Sequence, residues 1–266
     1  MTAWSEIADR VFVRRYAFFD QTIGVVIGRA GALVIDTRTT FPQADELLAD
    51  LRALTADPVV AVLNTHHHYD HTFGNARFLP GPIWGHDRCA AVLRTNGEAM
   101  RRRVMAELPL LAADLEEVAI TPPDRTFAET ATIDLGDRHV ELRYLGLGHT
   151  DNDVAALVPD CGALFAGDLF ENGDHPSFGD SFPVAWAETA ARLLPLGDGP
   201  VVPGHGDVVD RAWAAAQAAD FAALARLARN QVAGKITLDE ALTRAPFHEH
   251  AARVAFERAR VELTGS

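Results

Sequence analysis

The chain has 266 residues, 48% of them hydrophobic, which suffices for one large domain with a sizeable core and excludes a disordered or fibrous protein. A formal charge of −13 opposes docking on a phosphate backbone, where affinity comes from counterion release at a basic face, so nucleic acid is excluded as a partner. The opening Thr2-Ala3-Trp4-Ser5-Glu6 has no basic leader, and no stretch approaches the roughly 20 apolar residues of a membrane span; the expectation is a soluble, cytoplasmic protein.

Arg10–Phe19, Thr22–Gly28 and Ala32–Asp36 are short, rich in Val, Ile and aromatics, and separated by turn residues, which predicts an antiparallel meander. Pro42–Leu54 has apolar positions at helical spacing with Pro42 suited to a first turn, and Val59–Asn64 is an apolar run fit for a buried strand. This makes a βαβ step. Helical spacing returns over His86–Leu111, followed by strands at Thr126–Leu135 and His139–Leu147 around the turn Gly136-Asp137. A second half then begins. Asp153–Val158 and Ala163–Ala166 read as a strand pair, Val184–Leu194 as a helix, Pro200–Val202 as a short strand and Asp210–Ala233 as a long helix. Ile236–Leu263 carries two more helical patterns, as a cap would. Cys89 and Cys161 stand far apart and outside any CxxC pair, so no disulfide framework or cysteine-rich zinc knuckle forms, and both are expected as buried thiols.

Chemistry concentrates in the connections. The run from Asn64 to Asn75 contains His66-x-His68-x-Asp70-His71, four ligand-type side chains in one turn. Alternate residues of an extended segment point the same way, so His66 and His68 can grip one cation while the next turn swings Asp70 and His71 toward a second. Gly146-Leu147-Gly148-His149, Phe165-Ala166-Gly167-Asp168 and Val202-Pro203-Gly204-His205 each follow an apolar strand, and each delivers one further donor. Their glycines let the backbone approach an ion and leave the strand sharply. Alone, His149, His205 or a Gly-Asp step would read as an ordinary loop residue; beside the first cluster the metal reading prevails. His67, on the opposite side of the extended segment, reads as structural.

The ordered set HxHxDH, GHT, GD and PGHG resembles the metallo-β-lactamase superfamily from about Asp36 to His205. The resemblance implies an α/β fold of four layers, an αββα sandwich of two mixed sheets between outer helices, here with a C-terminal helical extension. The expected division is a catalytic domain over residues 1–209 with the helices of 210–266 packed on it. By the same resemblance one metal takes His66, His68 and His149, a second takes Asp70, His71 and His205, and Asp168 bridges them. Zn2+ is the favoured ion for both, with Mn2+ or Fe2+ as alternatives. Asp36 matches the family's early aspartate, which braces the metal loop without touching metal.

Asp168 at the bridging position, rather than Cys, makes the chain similar to glyoxalase II and lactonases more than to the thiolate-using zinc β-lactamases. Those lactamases hold a substrate carboxylate with a lysine near the last metal histidine; the only lysine here is Lys235, well beyond it, so that anchor is missing unless an arginine such as Arg211 substitutes. His68 stands where flavodiiron proteins of this fold carry Glu, and no insertion between Asp168 and His205 leaves room for a nuclease-type domain. Tyr69 within the motif resembles the superfamily's broad hydrolase branch. The expected activity is hydrolysis of an ester, thioester or lactone carbonyl in a small molecule, with water activated between the cations and Asp70 orienting it or carrying its proton. The alternatives are a single-iron oxygenase on His66, His149 and Asp168, similar to persulfide dioxygenases, a promiscuous β-lactamase, or a non-catalytic binding module.

The segment from Phe170 to Phe182 is expected to wall the pocket, with Phe182 and Trp186 in the core or lining an apolar acyl groove. Arg101-Arg102-Arg103 is expected as a solvated helix face, or else as an anion clamp. His175 should face solvent, and His248 and His250 carry no role. Asp36 and Asp151 are the candidate acceptors for second ring N–H groups of ligating imidazoles.

Overall fold

Two sheets organise the chain in the computed structural model, which describes residues 3–265. The first is built in chain order from β1 (Ser5–Ala8), β2 (Val11–Arg15), β3 (Thr22–Gly28), β4 (Gly31–Ile35), β5 (Val59–Leu63), β6 (Ile83–His86) and β7 (Arg125–Phe127). Its first four strands are antiparallel; β5, β6 and β7 add in parallel, after a crossover through α1 (Phe41–Leu54) in the case of β5. The second sheet runs β12 (Val201–His205), β11 (Ala163–Glu171), β10 (Val154–Val158), β9 (His139–Tyr144), β8 (Thr130–Asp134), and only the β11–β12 pair is parallel.

Strand alternation sorts the apolar residues into layers. From β3 and β4, Val26, Leu33 and Ile35 face the second sheet and join Val154, Ala156 and Phe165, while Val25, Ile27 and Val34 turn outward onto Leu47 and Leu51 of α1. Across the sandwich, Ala155, Leu164 and Ala166 turn outward onto α5 (Pro183–Leu193), which buries Trp186 and Leu193 against them. Both sheets are covered on both faces, which is why their central strands read as unbroken apolar runs. The arrangement is the four-layer αββα sandwich.

The helices α6 (Arg211–Val232), α7 (Leu238–Arg244) and α8 (Glu249–Thr264) extend the α5 layer. Phe221 stacks on Trp186 with ring centroids 4.5 Å apart, and Ala252, Ala255 and Phe256 belong to the same apolar cluster. Asp210 caps α6, and Thr237 with Glu240 forms a capping box on α7. The remaining helices are α2 (Tyr69–Thr72), α3 (Asp87–Glu107) and α4 (Ala112–Glu116). No helix among the described residues is long and apolar enough to cross a membrane.

Several elements depart from the expectation. Thr126–Leu135 is not one strand: β7 joins the first sheet and β8 the second, so the chain changes sheets at Ala128-Glu129. Arg10–Phe19 ends as a strand at Arg15, and Phe18–Asp20 forms a tight turn in which Phe19 and Asp20 have left-handed φ of 54° and 56°. β1 and β6 had no sequence signal strong enough to mark them. α3 stops at Glu107 because Pro109 disfavours helical geometry in the residue before it. Cys89 is buried, whereas Cys161 is half-buried.

Candidate metal centre

The histidine-rich loop leaves the carboxyl end of β5, and paired asparagines fold it back on itself. Asn75 Nδ2 donates to Asn64 Oδ1 at 2.7 Å, and Asn64 Nδ2 donates to the His71 carbonyl at 3.1 Å. Asp36, at the end of β4, braces the loop from below. Its Oδ1 accepts from the Thr65 amide at 2.9 Å, and its Oδ2 accepts from Thr65 Oγ1 and from His71 Nδ1, both at 2.8 Å. Thr65 Oγ1 in turn stands 3.1 Å from His66 Nδ1 and accepts its proton. One carboxylate therefore turns both His66 Nε2 and His71 Nε2 inward.

The second sheet supplies the rest from three of its strands. His149 follows β9, Asp168 lies within β11 and His205 ends β12. His205 Nδ1 donates to the Phe19 carbonyl at 2.6 Å, so the left-handed turn after β2 points His205 Nε2 at the centre. Gly204 permits the closest approach, since a Cβ on it would overlap Asp168 Oδ1.

Seven side chains named from the sequence thus converge. His66 Nε2 and His149 Nε2 stand 3.0 and 2.9 Å from His68 Nδ1. On the other side, His71 Nε2 and His205 Nε2 are 3.3 Å apart, and each is 3.3 Å from Asp70 Oδ2. Asp168 Oδ2 lies between the two groups, 3.6 and 3.4 Å from His66 and His149, and 3.5 and 3.4 Å from His71 and His205. Donors at about 2.0–2.1 Å from a tetrahedral ion are separated by roughly 3.3–3.4 Å, so the spacing suits metal coordination.

Charge agrees with geometry. Burial and the neighbouring His71 push His66 well below the ordinary histidine value, and burial lowers His149 to about 4, so both offer lone pairs at neutral pH. Burial works against charge on His71 and His205, yet Asp168 and Asp70 overcome it and raise both well above that value. The same attraction overcomes burial at Asp70 and Asp168 and holds both carboxyls far below their usual range. Two buried carboxylates that demand positive charge from imidazoles are a field suited to divalent cations. Asp168 Oδ1, buried and without a hydrogen-bond donor, fits the same demand.

A sequence profile of the Metallo-beta-lactamase superfamily matches residues 17–205, most of the chain and every donor named above. The chain belongs to the metallo-β-lactamase superfamily. It is 30% identical over 145 residues to a hydroxyacylglutathione hydrolase of Synechococcus sp. strain JA-3-3Ab, a match covering 54% of this chain and 46% of that protein. The chain therefore matches less than half the length of this curated relative. Among solved structures, the sec-alkylsulfatase Pisa1 from Pseudomonas sp. superposes with a TM-score of 0.79 at 16% identity, covering 100% of this chain and 50% of the other. A metallo-β-lactamase from Pontibacter korlensis gives 0.63 at 22% identity, covering 82% of this chain and 98% of that one. These structural likenesses speak for the fold.

A cleft of about 510 Å³ opens on the centre. The end of β11 and the segment after it form one wall through Glu171, Asn172, Asp174, Ser177 and Asp180, as expected. The aromatics facing the cleft are Phe19 and Tyr69; Trp186 is fully buried in the core, so no acyl groove forms on it. Arg103 reaches the cleft, whereas Arg101 bonds the carbonyls of Leu115 and Glu116. Arg211 bonds the Gly197 carbonyl outside the cleft and cannot serve as a carboxylate anchor there. His67 is buried with Nδ1 2.8 Å from Asn152 Nδ2, consistent with a structural part, and His175 is exposed. Asp151 Oδ1 accepts from Asn152 Nδ2 at 2.7 Å, and among the described residues no hydrogen bond joins it to one of these imidazoles.

Sequence reasoning missed the groups behind two of the donors. Asp180 stands 3.1 Å from His68 Nε2, and Glu171 lies 3.7 Å from His149 Nδ1. Burial and the nearby Asp168 push the Glu171 carboxyl up to about 8. A single acid in a glycine-rich loop has no local signal that could have singled it out.

Proposed function

We propose that the chain is a metal-dependent hydrolase that holds two divalent cations, with Zn2+ favoured, and cleaves an ester, thioester or lactone bond in a small molecule. One observation carries the reading: a single oxygen, Asp168 Oδ2, lies 3.4–3.6 Å from imidazole nitrogens of both donor groups. On this reading His66, His68 and His149 hold one ion, Asp70, His71 and His205 hold the other, and Asp168 is shared. When bound, such a pair supplies an activated water and a Lewis acid for the carbonyl and the leaving group.

The chain's own side chains have separate tasks. Asp70, anionic and exposed to the cleft, orients the attacking water and relays its proton. Asp36 and the Phe19 carbonyl hold His66, His71 and His205 in the tautomers that face inward. Similarity to a hydroxyacylglutathione hydrolase supports acyl cleavage. The lining refines it: beyond the proposed ligands, Asp20, Asp174 and Asp180 face the cleft with Arg103 as the one guanidinium among the described residues, which favours uncharged esters and lactones over anionic conjugates.

Metal analysis should find near two equivalents of zinc per chain, and a screen across lactones, thioesters, phosphodiesters and β-lactams should rank neutral lactones and esters first. A single tightly held iron with oxygen uptake on a glutathione persulfide would overturn the hydrolase reading. Asp70→Asn should reduce turnover by about 10²–10⁴-fold with thermal unfolding near native, and full activity of that variant would remove Asp70 from the mechanism.

A further inference from the structure

We infer that the last helix, α8, tunes the metal centre through Asp180, which acts as a positioning residue for His68; the inference rests on the donor assignment proposed above. His68 differs from the other four imidazoles in facing the cluster with Nδ1, so its Nε2 must carry the proton. Asp180 takes that proton as a hydrogen bond, with its two oxygens 3.2 and 3.1 Å from His68 Nε2. Without an acceptor there, the ring is free to turn or to present its other tautomer, and the donor is lost.

The loop that carries Asp180 is closed internally by the Ser181 amide and hydroxyl, which donate to the Phe178 carbonyl at 3.4 and 3.2 Å, and is held further by contacts from outside it. The Asp180 side chain is 52% exposed, and a side chain on neighbouring Gly179 would meet nothing within 4 Å. Phe178 anchors the loop on one side by packing on Trp186 and Phe247. The backbone of Asp180 itself is held from α8: Arg258 Nη2 donates to the Asp180 carbonyl at 3.2 Å, and Arg258 Nε donates to the Ser181 carbonyl at 3.1 Å. One helical turn on, Glu262 accepts the amides of Val184 and Ala185, both at 2.8 Å, and pins the end of the loop, where α5 begins, to α8. A hydrogen-bonded path thus runs from α8 through the loop backbone and the Asp180 carboxylate to a donor in the first half of the chain.

Zinc affinity, measured by competition with a chromophoric chelator, reads this path independently of turnover. Asp180→Ala should weaken one of the two sites by about 10- to 100-fold, the usual effect of removing the partner behind a ligating histidine. Asp180→Asn keeps an oxygen acceptor and should lose less. Arg258→Ala should weaken the same site by a smaller factor, Arg258→Lys should recover part of it, and the double variant Asp180→Ala/Arg258→Ala should match Asp180→Ala alone. Circular dichroism checks folding; if Arg258→Ala does not fold, Arg258→Lys takes its place in the cycle. Native zinc affinity in Asp180→Ala, or losses that add in the double variant, overturns the path while leaving the donor assignment intact. A native protein that binds no zinc overturns the donor assignment and the path with it.

Discussion

Asp36 holds a left-handed φ of 67° at the end of β4, an uncommon conformation for a residue with a Cβ, and from there its oxygens reach Thr65 and His71. Gly204 works in the opposite way, by lacking a side chain. Gly204→Ala should leave the fold intact yet displace Asp168, lowering zinc affinity and turnover by about 10²-fold or more, since misplacement on the order of 1 Å costs that much; native values would show that the carboxylate can shift freely. Away from the centre, Tyr16 donates its phenol to Asp50 Oδ2 at 2.8 Å under the guanidinium of Arg38. Burial, then the hydrogen bond to Asp50 and its charge, raise its pKa above the ordinary 10.0. The unfolded chain therefore loses this proton first: the stabilisation is whole below pH 10 and is lost as pH climbs above it. Tyr16→Phe should cost about 0.5–1.5 kcal/mol at pH 7 and show a smaller loss of stability than the native protein above pH 10, measured by urea unfolding across that range. At this scale the cluster of candidate donors was legible, because metal chemistry permits few residue types and the turn fixes their spacing. Asp180, Glu171 and the Phe19 carbonyl were not, because each is chosen by an approach between segments distant in the chain.

Among elements, the apolar runs β3, β4, β5, β10 and β11 stood out because both faces of each are covered, and helical spacing marked α1, α5 and α6. Two misreadings share one cause. Alternation over Thr126–Leu135 is interrupted only at Ala128-Glu129, where the chain passes from one sheet to the other, and so short a break carries no label for which sheet a strand joins. The turn at Phe18–Asp20 is likewise hidden by its aromatics, which look like strand residues but are held left-handed by the contacts of Gly206 with Asp20 and of His205 with Phe19. α5 offers a further test. Phe182 at its N-cap makes no side-chain cap bond, and Glu262 of α8 performs that service from another helix. Glu262→Ala should therefore cost about 1–3 kcal/mol in chemical denaturation, the penalty for orphaning buried amides; a change within error would mean that water replaces the carboxylate.

At the scale of the molecule, the sandwich is tied at both ends. Arg138, buried between the sheets, donates to the Asp9 carbonyl at 2.7 Å and to Asp160 at 2.6 Å, while at the other end the Val154 amide donates to the Thr65 carbonyl at 2.7 Å. The proposed ions would add a third tie, because each draws donors from both halves. Removing them with a chelator should lower the melting temperature by about 5–10 °C relative to protein in zinc at a hundred times its dissociation constant, and an unchanged melting temperature would argue against a centre shared between the sheets. That division has a bearing on how the protein is made. His66, His68, Asp70 and His71 emerge early, but His149, Asp168 and His205 follow only as the second sheet is synthesised. On the proposed assignment, a half-finished chain on the ribosome would offer each ion only part of its donor set, and the set would be completed only once the closing strand is in place.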